Sequence, residues 1–375
     1  MKTPPALADH IKRHIKSIPP YIPGKPIAEV ERELGIQGAI KMASNENPLG
    51  PSPAAMEKMK EHLARCHIYP ESSAPALRTA LASRFHVSPD QVILGNGSDE
   101  LMQICAHILV GADDEAVTPA HSFSMYRIAV ESFGGKVVQV PLRKDYRIDL
   151  QKMAAAVTDR TRIVFFANPN SPTGLITSKE ELDAFFARLP SDRLLVVIDE
   201  AYREFVRDKG CPEGVAYLNQ SIPVLVLRTF SKIYGLAGMR IGYGLSHAWL
   251  IELLNRVRAP FNTNTLAQAA AAAALTDFAH EEKTRELVWV GIDYLTSALT
   301  ALGFYVLPSQ ANFVCFRAQG RAAALYHYLL RRGVIVRHLA SFGMDDWIRV
   351  TVGTMEQNAL FVRNVREFVA QMDAL

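Results

Sequence analysis

The chain contains 375 residues, of which 49% are hydrophobic and 21% are charged. This is the composition of an ordinary globular protein, long enough for a large core and for two domains, and nothing in it indicates disorder. The formal net charge of +3 is small for this length and the basic residues are scattered, so we expect no nucleic-acid partner.

The N-terminal residues 1–26 contain six prolines and no apolar signal segment, so we expect a helical turn near 7–18 and then an extended arm. No run of about 18 apolar residues occurs along the chain, and we expect no membrane partner. The four cysteines are far apart and lack the spacing of metal ligands. We therefore expect no metal site and a reducing, cytoplasmic location.

A short strand with a turn at Asn-Pro is predicted over residues 41–50, followed by helices over 53–64 and 77–85. Residues 92–94 then form an apolar strand that leads through Gly95 and Gly97 into an apolar helix over 101–109. Strand, glycine turn and helix form the geometry in which backbone N–H groups hold a phosphate. Two glycines alone are weak evidence and favour a plain tight turn.

Strands and helices alternate along the next part of the chain, which predicts an α/β fold with a mostly parallel sheet. The predicted strands lie at 116–117, 136–140, 163–167, 194–198 and 224–227, and the predicted helices at 179–189 and 249–257.

Two of these strands are followed by candidate catalytic residues. Asp199 follows the strand at 194–198, and Tyr202 lies three residues later, on the same side if the segment is helical. Lys232 follows the strand at 224–227, with the possible phosphate donors Thr229, Ser231 and Arg240 around it. A lone Ser-Lys pair most often lies on the exposed surface. Lys232 together with Asp199 at the end of another strand, however, provides the groups that pyridoxal phosphate requires. That cofactor requires a lysine amine, a carboxylate for its ring nitrogen and a phosphate cradle.

The C-terminal part predicts long helices over 268–275 and 281–302 and then a small α+β unit. Its predicted strands lie at 304–307, 313–316, 334–337 and 347–352, and its helices at 322–331 and 356–372. Asn312 and Arg337, near strand ends, are candidate substrate contacts. We predict an N-terminal arm and the start of the small domain over 1–45, a large cofactor-binding domain over 46–260, and a linker helix with the small domain over 261–375.

Several motifs occur in one order along nearly the whole chain. They include Pro-Tyr-Ile-Pro-Gly at 20–24, Ala-Ser-Asn-Glu-Asn-Pro-Leu-Gly at 43–50, the Asp199 and Lys232 segments, and Ile-Arg-Val-Thr-Val-Gly at 348–353. With them the chain resembles the fold type I pyridoxal-phosphate-dependent aminotransferases, and among these the histidinol-phosphate aminotransferases. The resemblance implies a large domain with a mostly parallel sheet flanked by helices, a smaller α+β domain, and a homodimer with shared active sites.

The resemblance also implies individual roles. Lys232 would bond to the cofactor aldehyde, Asp199 would hold the ring nitrogen, and Tyr202 would contact the phenolic oxygen. Further implied contacts are Gly97, Ser98 and Asp99 to the phosphate, Phe123 stacked on the ring, Tyr69 reaching the phosphate across the dimer, and Tyr21, Asn47 and Arg349 to the substrate.

The chain departs from the family pattern at residues 168–174, which read Asn-Pro-Asn-Ser-Pro-Thr-Gly. The family usually has Asn-Pro-Thr-Gly there, and that asparagine donates to the phenolic oxygen of the cofactor. Ser171 stands in its place, and either Ser171 itself, Asn168 or Asn170 is the candidate donor.

The reaction that the resemblance implies is transfer of the amino group of L-histidinol phosphate to 2-oxoglutarate, which gives imidazole-acetol phosphate and glutamate. Two alternatives keep the same cofactor chemistry. An aromatic amino-acid aminotransferase would bind a carboxylate in place of the phosphate, and a decarboxylase would act on a phosphorylated amino acid.

Overall fold

The computed structural model describes residues 5–190 and 193–373. The strands are β1 (Ile40–Lys41), β2 (Val92–Gly95), β3 (Glu115–Pro119), β4 (Lys136–Val140), β5 (Thr161–Ala167), β6 (Leu195–Asp199), β7 (Val224–Thr229), β8 (Gly242–Leu245), β9 (Tyr305–Val306), β10 (Phe313–Arg317), β11 (Val334–Ile335), β12 (Arg337–His338) and β13 (Trp347–Thr351). The helices are α1 (Pro5–His10), α2 (Arg13–Ser17), α3 (Ile27–Leu34), α4 (Pro53–Leu63), α5 (Pro75–Phe85), α6 (Ser98–Leu109), α7 (Met125–Ser132), α8 (Leu150–Ala155), α9 (Lys179–Phe186), α10 (Ala248–Val257), α11 (Thr265–Ala274), α12 (Phe278–Ala301), α13 (Ala322–Arg331) and α14 (Met355–Asp373).

The large sheet has seven strands in the order β2-β8-β7-β6-β5-β3-β4. Only β8 runs against its neighbours β2 and β7, and the other pairs are parallel. Every residue of β6 and β7 is buried, as expected for apolar strands covered by helices on both faces. This confirms the predicted mostly parallel sheet, and it places the carboxyl ends of β5, β6 and β7 side by side.

Strand β8 is absent from the sequence prediction. It has only four residues, Gly-Tyr-Gly-Leu, and two glycines in so short a run weaken any strand signal. Its first glycine has a steric reason, because a Cβ at Gly242 would lie 2.6 Å from the backbone nitrogen of Ser98. Glycine therefore lets β8 pass close to the beginning of α6.

A second, four-stranded antiparallel sheet has the order β12-β13-β10-β9. The predicted strand at 334–337 is divided in two: β11 pairs in parallel with β1, while β12 pairs with β13. The pairing of Ile40 with Val334 brings the N-terminal segment onto the C-terminal part of the chain. The domain boundaries at 46 and 260 stay predictions.

Most predicted elements occur within about three residues of their expected ends. Three expectations were wrong in detail. The segment expected to form one helical turn at 7–18 forms two short helices, α1 and α2. The strand expected to begin at residue 41 ends at that residue. The segment after Asp199 forms a turn, and not the helix that placed Asp199 and Tyr202 on one side.

Over residues 5–190 and 193–373, none of the helices combines the length and the apolar character that a membrane crossing requires.

Candidate active site

A cavity opens at the carboxyl ends of β5, β6 and β7, between the large sheet and the segments that follow β1 and β12. Open α/β sheets bind ligands at this edge. The predicted site residues that line it are Tyr21, Gly97, Ser98, Asp99, Phe123, Ser171, Asp199, Tyr202, Thr229, Ser231, Lys232, Arg240, Arg337 and Arg349. The structure therefore brings together most of the residues that the sequence selected, from segments more than 300 positions apart.

Lys232 lies in the loop after β7, and its side chain faces the N-terminal segment. Its Nζ donates to the carbonyl oxygen of Ser44 at 3.1 Å and lies 5.6 Å from the centroid of the Tyr202 ring. This partner is a neutral backbone carbonyl, and within residues 5–190 and 193–373 no carboxylate forms an ion pair with Nζ. The amine is thus available to a ligand in the cavity.

Asp199 is the last residue of β6 and is 5% exposed. Its Oδ2 accepts from the hydroxyl of Tyr126 at 2.8 Å and its Oδ1 from the backbone N–H of Ala201 at 3.1 Å. Burial raises the pKa of the Asp199 carboxyl to about 6, although these hydrogen bonds and Lys232 act against the shift. A buried carboxylate at this place is suited to a protonated ring nitrogen, which would supply the missing positive charge.

An anion cradle forms where α6 begins. Gly97 has φ 80° and immediately precedes α6, and a Cβ there would lie 2.5 Å from Nη2 of Arg240. Arg240 itself has φ 53°, and its Nη1 donates to the carbonyl oxygen of Ala237 at 3.1 Å. The guanidinium therefore lies against the free N–H groups of the helix N-terminus, a combination that attracts a phosphate.

The rest of the cradle comes from the end of β7, the loop that follows it and the first turn of α6. Thr229 and Ser231 are buried hydroxyl residues in the cavity wall, and the Thr229 Oγ1 accepts from the Ser231 N–H at 3.1 Å. Asp99 lies 3.5 Å from Arg240, and burial raises the pKa of its carboxyl, while Arg240 and Lys232 lower it. Ser98 completes the lining.

The structure corrects the expectation that Asn47 lies beside the substrate. The Asn47 Nδ2 donates to the carbonyl oxygen of Ile233 at 2.8 Å, and its Oδ1 accepts from the N–H of Leu49 at 2.9 Å, so the side chain fastens two backbone segments. Asn45 lines the cavity in its place and donates from Nδ2 to the Tyr202 hydroxyl oxygen at 2.8 Å. Asn45 itself adopts the left-handed backbone conformation, with φ 57°.

Of the three candidate donors at 168–171, only Ser171 lines the cavity. Asn168 is turned to the backbone of Thr177, with contacts of 3.0 and 3.4 Å. Asn170 accepts from Ser122 Oγ at 2.8 Å and donates to the carbonyl oxygen of His121 at 3.1 Å. Both asparagines are therefore used inside the loop, and their expected contact with the cofactor is corrected.

Arg349 lies in β13, is buried, and points into the cavity. Its Nη1 donates to Ser171 Oγ at 3.0 Å and its Nη2 to the carbonyl oxygen of Ala43 at 2.9 Å. Its Nε has no hydrogen-bond partner among the described residues, and burial lowers the pKa of the guanidinium. A buried cation with an unused donor is suited to an anionic ligand group.

Two predicted substrate contacts lie at the mouth of the cavity. Arg337 donates from Nη2 to the carbonyl oxygen of Ile22 at 2.8 Å, and Tyr21 stands edge-on to Phe123 with 6.5 Å between ring centroids. The arm therefore covers this side. Asn312 lies outside the lining, because its Nδ2 donates to the carbonyl oxygen of Asn45 at 3.0 Å; its predicted substrate contact is corrected to a support for Asn45.

Tyr69 also lies outside the cavity of its own chain. Its side chain is 79% exposed and stacks on Phe261 with 4.6 Å between ring centroids. The ring is therefore presented outward, and Tyr69 is not among the residues that line the cavity of its own chain.

Among the lining residues that the sequence did not predict are Asn45, Tyr126 and Phe342. Asn45 belongs to the same motif as Asn47, but the motif alone does not show which asparagine faces inward. Tyr126 could have been predicted from its spacing, because it lies three residues after Phe123 and residues three positions apart on a helical turn lie on the same side. Phe342 belongs to a loop in which no sequence pattern indicates a site.

Comparisons with known proteins agree with this geometry. The family described as aminotransferase class I and II matches residues 37–365. A histidinol-phosphate aminotransferase of Moorella thermoacetica is 46% identical over 368 residues, which cover 98% of this chain and 95% of that protein. One from an Anaeromyxobacter species is 46% identical over 92% of this chain and 95% of its own length.

Solved structures confirm the predicted fold. A histidinol-phosphate aminotransferase from Sinorhizobium meliloti, in complex with pyridoxal-5′-phosphate, has a TM-score of 0.88 and 28% identity and covers 96% of this chain and 98% of that chain. An aspartate aminotransferase variant from Thermus thermophilus, with a TM-score of 0.83 at 24% identity over 96% of this chain and 99% of that chain, shows the fold alone. The chain belongs to the class I and II aminotransferase family, with the fold type I architecture.

Proposed function

We propose that this protein is a pyridoxal-phosphate-dependent histidinol-phosphate aminotransferase, which transfers the amino group of L-histidinol phosphate to 2-oxoglutarate. The observation that carries this proposal is the pairing of two sites in one cavity. Lys232, Asp199 and the cradle of Gly97 and Arg240 form one side, and the buried Arg349 with its unused donor forms the other. The names of the relatives that align over more than nine-tenths of the chain support this choice of substrate.

The residues present fit the cofactor. The cradle at Gly97 suits its phosphate, the Asp199 carboxylate suits its ring nitrogen, and Phe123 offers a flat ring beside them. When bound, pyridoxal phosphate supplies an aldehyde that reacts with amines and a protonated ring that withdraws electrons from the reacting carbon.

Lys232 carries the proton transfer in this proposal. With the cofactor and substrate bound, its Nζ would act as general base at the substrate carbon that bears the amine and would return the proton as general acid. The carbonyl of Ser44, which accepts from Nζ at 3.1 Å, holds the amine on one side of the cavity.

Tyr202 and Asn45 form a directed pair. Because Asn45 Nδ2 donates to the hydroxyl oxygen of Tyr202, the hydroxyl proton of Tyr202 points away from Asn45 and is available to the phenolic oxygen of the cofactor. Ser171 is the other hydroxyl on this part of the wall, and it accepts from Arg349. We infer that Ser171 takes over the donor role of the usual asparagine.

Substrate recognition is assigned to Arg349 and the mouth. Histidinol phosphate has a phosphate as its anionic end, whereas glutamate has a carboxylate, and one guanidinium can bind either in a two-point contact. Arg337 adds a second cation on the side nearer to solvent, and Tyr21, Phe123 and Phe342 offer aromatic surface to an imidazole ring.

The proposal includes a homodimer in which Tyr69 reaches the cofactor phosphate of the other subunit. Its support is the 79% exposure of Tyr69, which leaves the ring and its hydroxyl accessible to a partner chain. The cytoplasmic location stays a prediction.

The proposed function is tested with the purified protein loaded with pyridoxal phosphate. We expect L-histidinol phosphate to convert the cofactor to its amine form, seen as a loss of visible absorbance, at a higher kcat/KM than L-phenylalanine, and 2-oxoglutarate to restore the absorbance. Preference for phenylalanine would establish an aromatic aminotransferase. Release of carbon dioxide from a phosphorylated amino acid, with the absorbance retained, would establish a decarboxylase. Lys232→Ala protein serves as the control for chemistry away from the site.

A further inference from the structure

Tyr126 is a buried tyrosine in the cavity wall for which the reaction described above has no use. Its side chain is 1% exposed, and its hydroxyl donates to Asp199 Oδ2 at 2.8 Å. Among the described residues, this is the only side chain with a hydrogen bond to the Asp199 carboxylate; the second hydrogen bond comes from the backbone of Ala201. The environment of the carboxylate therefore depends on one hydroxyl group.

The ring of Tyr126 is held on two sides. It stacks on Phe165 with 5.2 Å between centroids and 5° between planes, and Phe123 stands edge-on to it at 5.8 Å and 89°. Its backbone N–H donates to the carbonyl oxygen of Phe123 at 3.2 Å. One turn of chain at the start of α7 thus supplies both a ring for the cavity and a hydroxyl fixed towards Asp199.

The charges around Asp199 explain why this hydroxyl matters. Burial and the nearby Asp99 carboxylate raise the pKa of Asp199, whereas the Tyr126 hydroxyl, the Ala201 N–H and the Lys232 amine lower it. Burial and Asp199 raise the pKa of Tyr126 well above its ordinary value, with smaller contributions from Tyr202 and Asp99. Tyr126 therefore stays protonated and acts only as a donor at neutral pH.

We propose that Tyr126 is a positioning residue, whose hydroxyl orients the Asp199 carboxylate and keeps it ionised so that it can hold a protonated ring nitrogen. The nature of that ring rests on the proposed function. The hydrogen bond itself belongs to the protein without cofactor and can be tested there.

The first test is the thermal stability of cofactor-free protein across about pH 4 to about pH 9. A carboxyl whose pKa is higher in the folded than in the unfolded protein binds its proton more tightly when folded. Its contribution to the free energy of unfolding is therefore present at low pH and is lost as pH rises to the folded pKa, about 6 for Asp199. Tyr126→Phe removes a donor to the ionised form, so this loss should continue to a pH about one to two units higher.

Two controls isolate the effect. Tyr217 is also buried, and it donates to the carboxylate of Asp183 at 2.6 Å, away from the cavity, so Tyr217→Phe should leave the step assigned to Asp199 unmoved. In an Asp199→Asn background, Tyr126→Phe should no longer change the pH dependence. Superimposable curves for the wild type and Tyr126→Phe, or an equal shift with Tyr217→Phe, would overturn the proposal.

The second test uses the loaded enzyme. At pH 7 we expect Tyr126→Phe to lower the rate of the half-reaction with histidinol phosphate about tenfold and to move its acidic limb to higher pH, with KM little changed. A uniform rate loss at every pH would contradict a role through Asp199. If the wild type does not turn over histidinol phosphate, the proposed function fails, but the cofactor-free curves still decide the role of Tyr126.

If Tyr126→Phe does not fold, the double variant Tyr126→Phe, Asp199→Asn supplies the test. The proposal predicts that removing the uncompensated carboxylate restores folding. Failure of the double variant to fold would show that Tyr126 serves packing alone, and would overturn the proposal.

Discussion

The two walls of the cavity are built differently. The cofactor wall lies at the ends of buried strands, where Asp199 closes β6 and Thr229 closes β7. The mouth consists of an extended arm, a two-residue strand and a loop, which carry Tyr21, Arg337 and Phe342. Tyr21 is 47% exposed, whereas Asp199 is 5% exposed.

The difference in burial indicates which residues of the site must be held rigidly. Groups that must hold one ring in one place lie on elements fixed by two-sided burial, since a small displacement there lowers the rate steeply. Groups that must accept two substrates of different shape lie on segments with fewer packing constraints. Substitutions at the strand ends should therefore abolish chemistry, and substitutions at the mouth should change the choice of substrate.

The largest effect is expected for Lys232→Ala. Because Lys232 is both the amine that bonds to the cofactor and the group that moves the proton, we expect the half-reaction to slow by at least about 10⁴-fold and the visible absorbance of the lysine-bound cofactor to disappear. Stopped-flow absorbance measures both. Normal turnover by this variant would remove Lys232 from the mechanism.

A smaller but still large loss is expected for Asp199→Asn. The amide cannot carry the negative charge that a protonated ring nitrogen needs, so we expect kcat to fall about 10²- to 10³-fold with an unchanged circular dichroism spectrum. Asp183→Asn, a carboxyl on α9 that also accepts from a tyrosine hydroxyl, is the matched control. Wild-type kcat in Asp199→Asn would refute the role of the carboxylate.

The cofactor wall could be predicted from the sequence more fully than the mouth of the cavity. Asp199, Lys232 and Arg240 follow apolar strands at short spacings, and pattern and resemblance together selected residues that line one cavity. Asn45 could not be told from Asn47, because the two differ in their hydrogen bonds to the distant residues Tyr202 and Ile233. Phe342 and the division of the strand at 334–337 depend on tertiary pairing with distant segments, which no local pattern records.

The boundary between the walls is tested by Arg349→Lys. Lysine keeps the charge but loses the fork of donors to Ser171 and to the ligand, so we expect kcat/KM to fall about 10²-fold for both histidinol phosphate and glutamate. Steady-state kinetics with each donor measures this. Arg317→Lys, on the same sheet but exposed and paired with Asp346, should have no effect. A loss for only one donor would contradict a shared anion site.

A mixture of two inactive variants tests whether the cofactor wall contains residues of one chain or of two. Each proposed site combines Lys232 of one chain with Tyr69 of the other, so a hybrid of Lys232→Ala and Tyr69→Phe chains has one intact site. When equal amounts of the two variants are unfolded and refolded together, half of the dimers should be hybrids with one intact site each. We therefore expect about a quarter of wild-type activity from the mixture and almost none from either variant alone. No recovery would show that Tyr69 acts within its own chain.

The smallest effect is expected at the mouth. Arg337 is exposed to solvent on one side and contacts the arm through Ile22, so its attraction for a phosphate is screened. We expect Arg337→Ala to raise KM for histidinol phosphate about tenfold and to leave KM for glutamate within about twofold. Equal losses for both substrates would mean that Arg337 acts by holding the arm, and the division between a wall for chemistry and a mouth for selection would then fail at this residue.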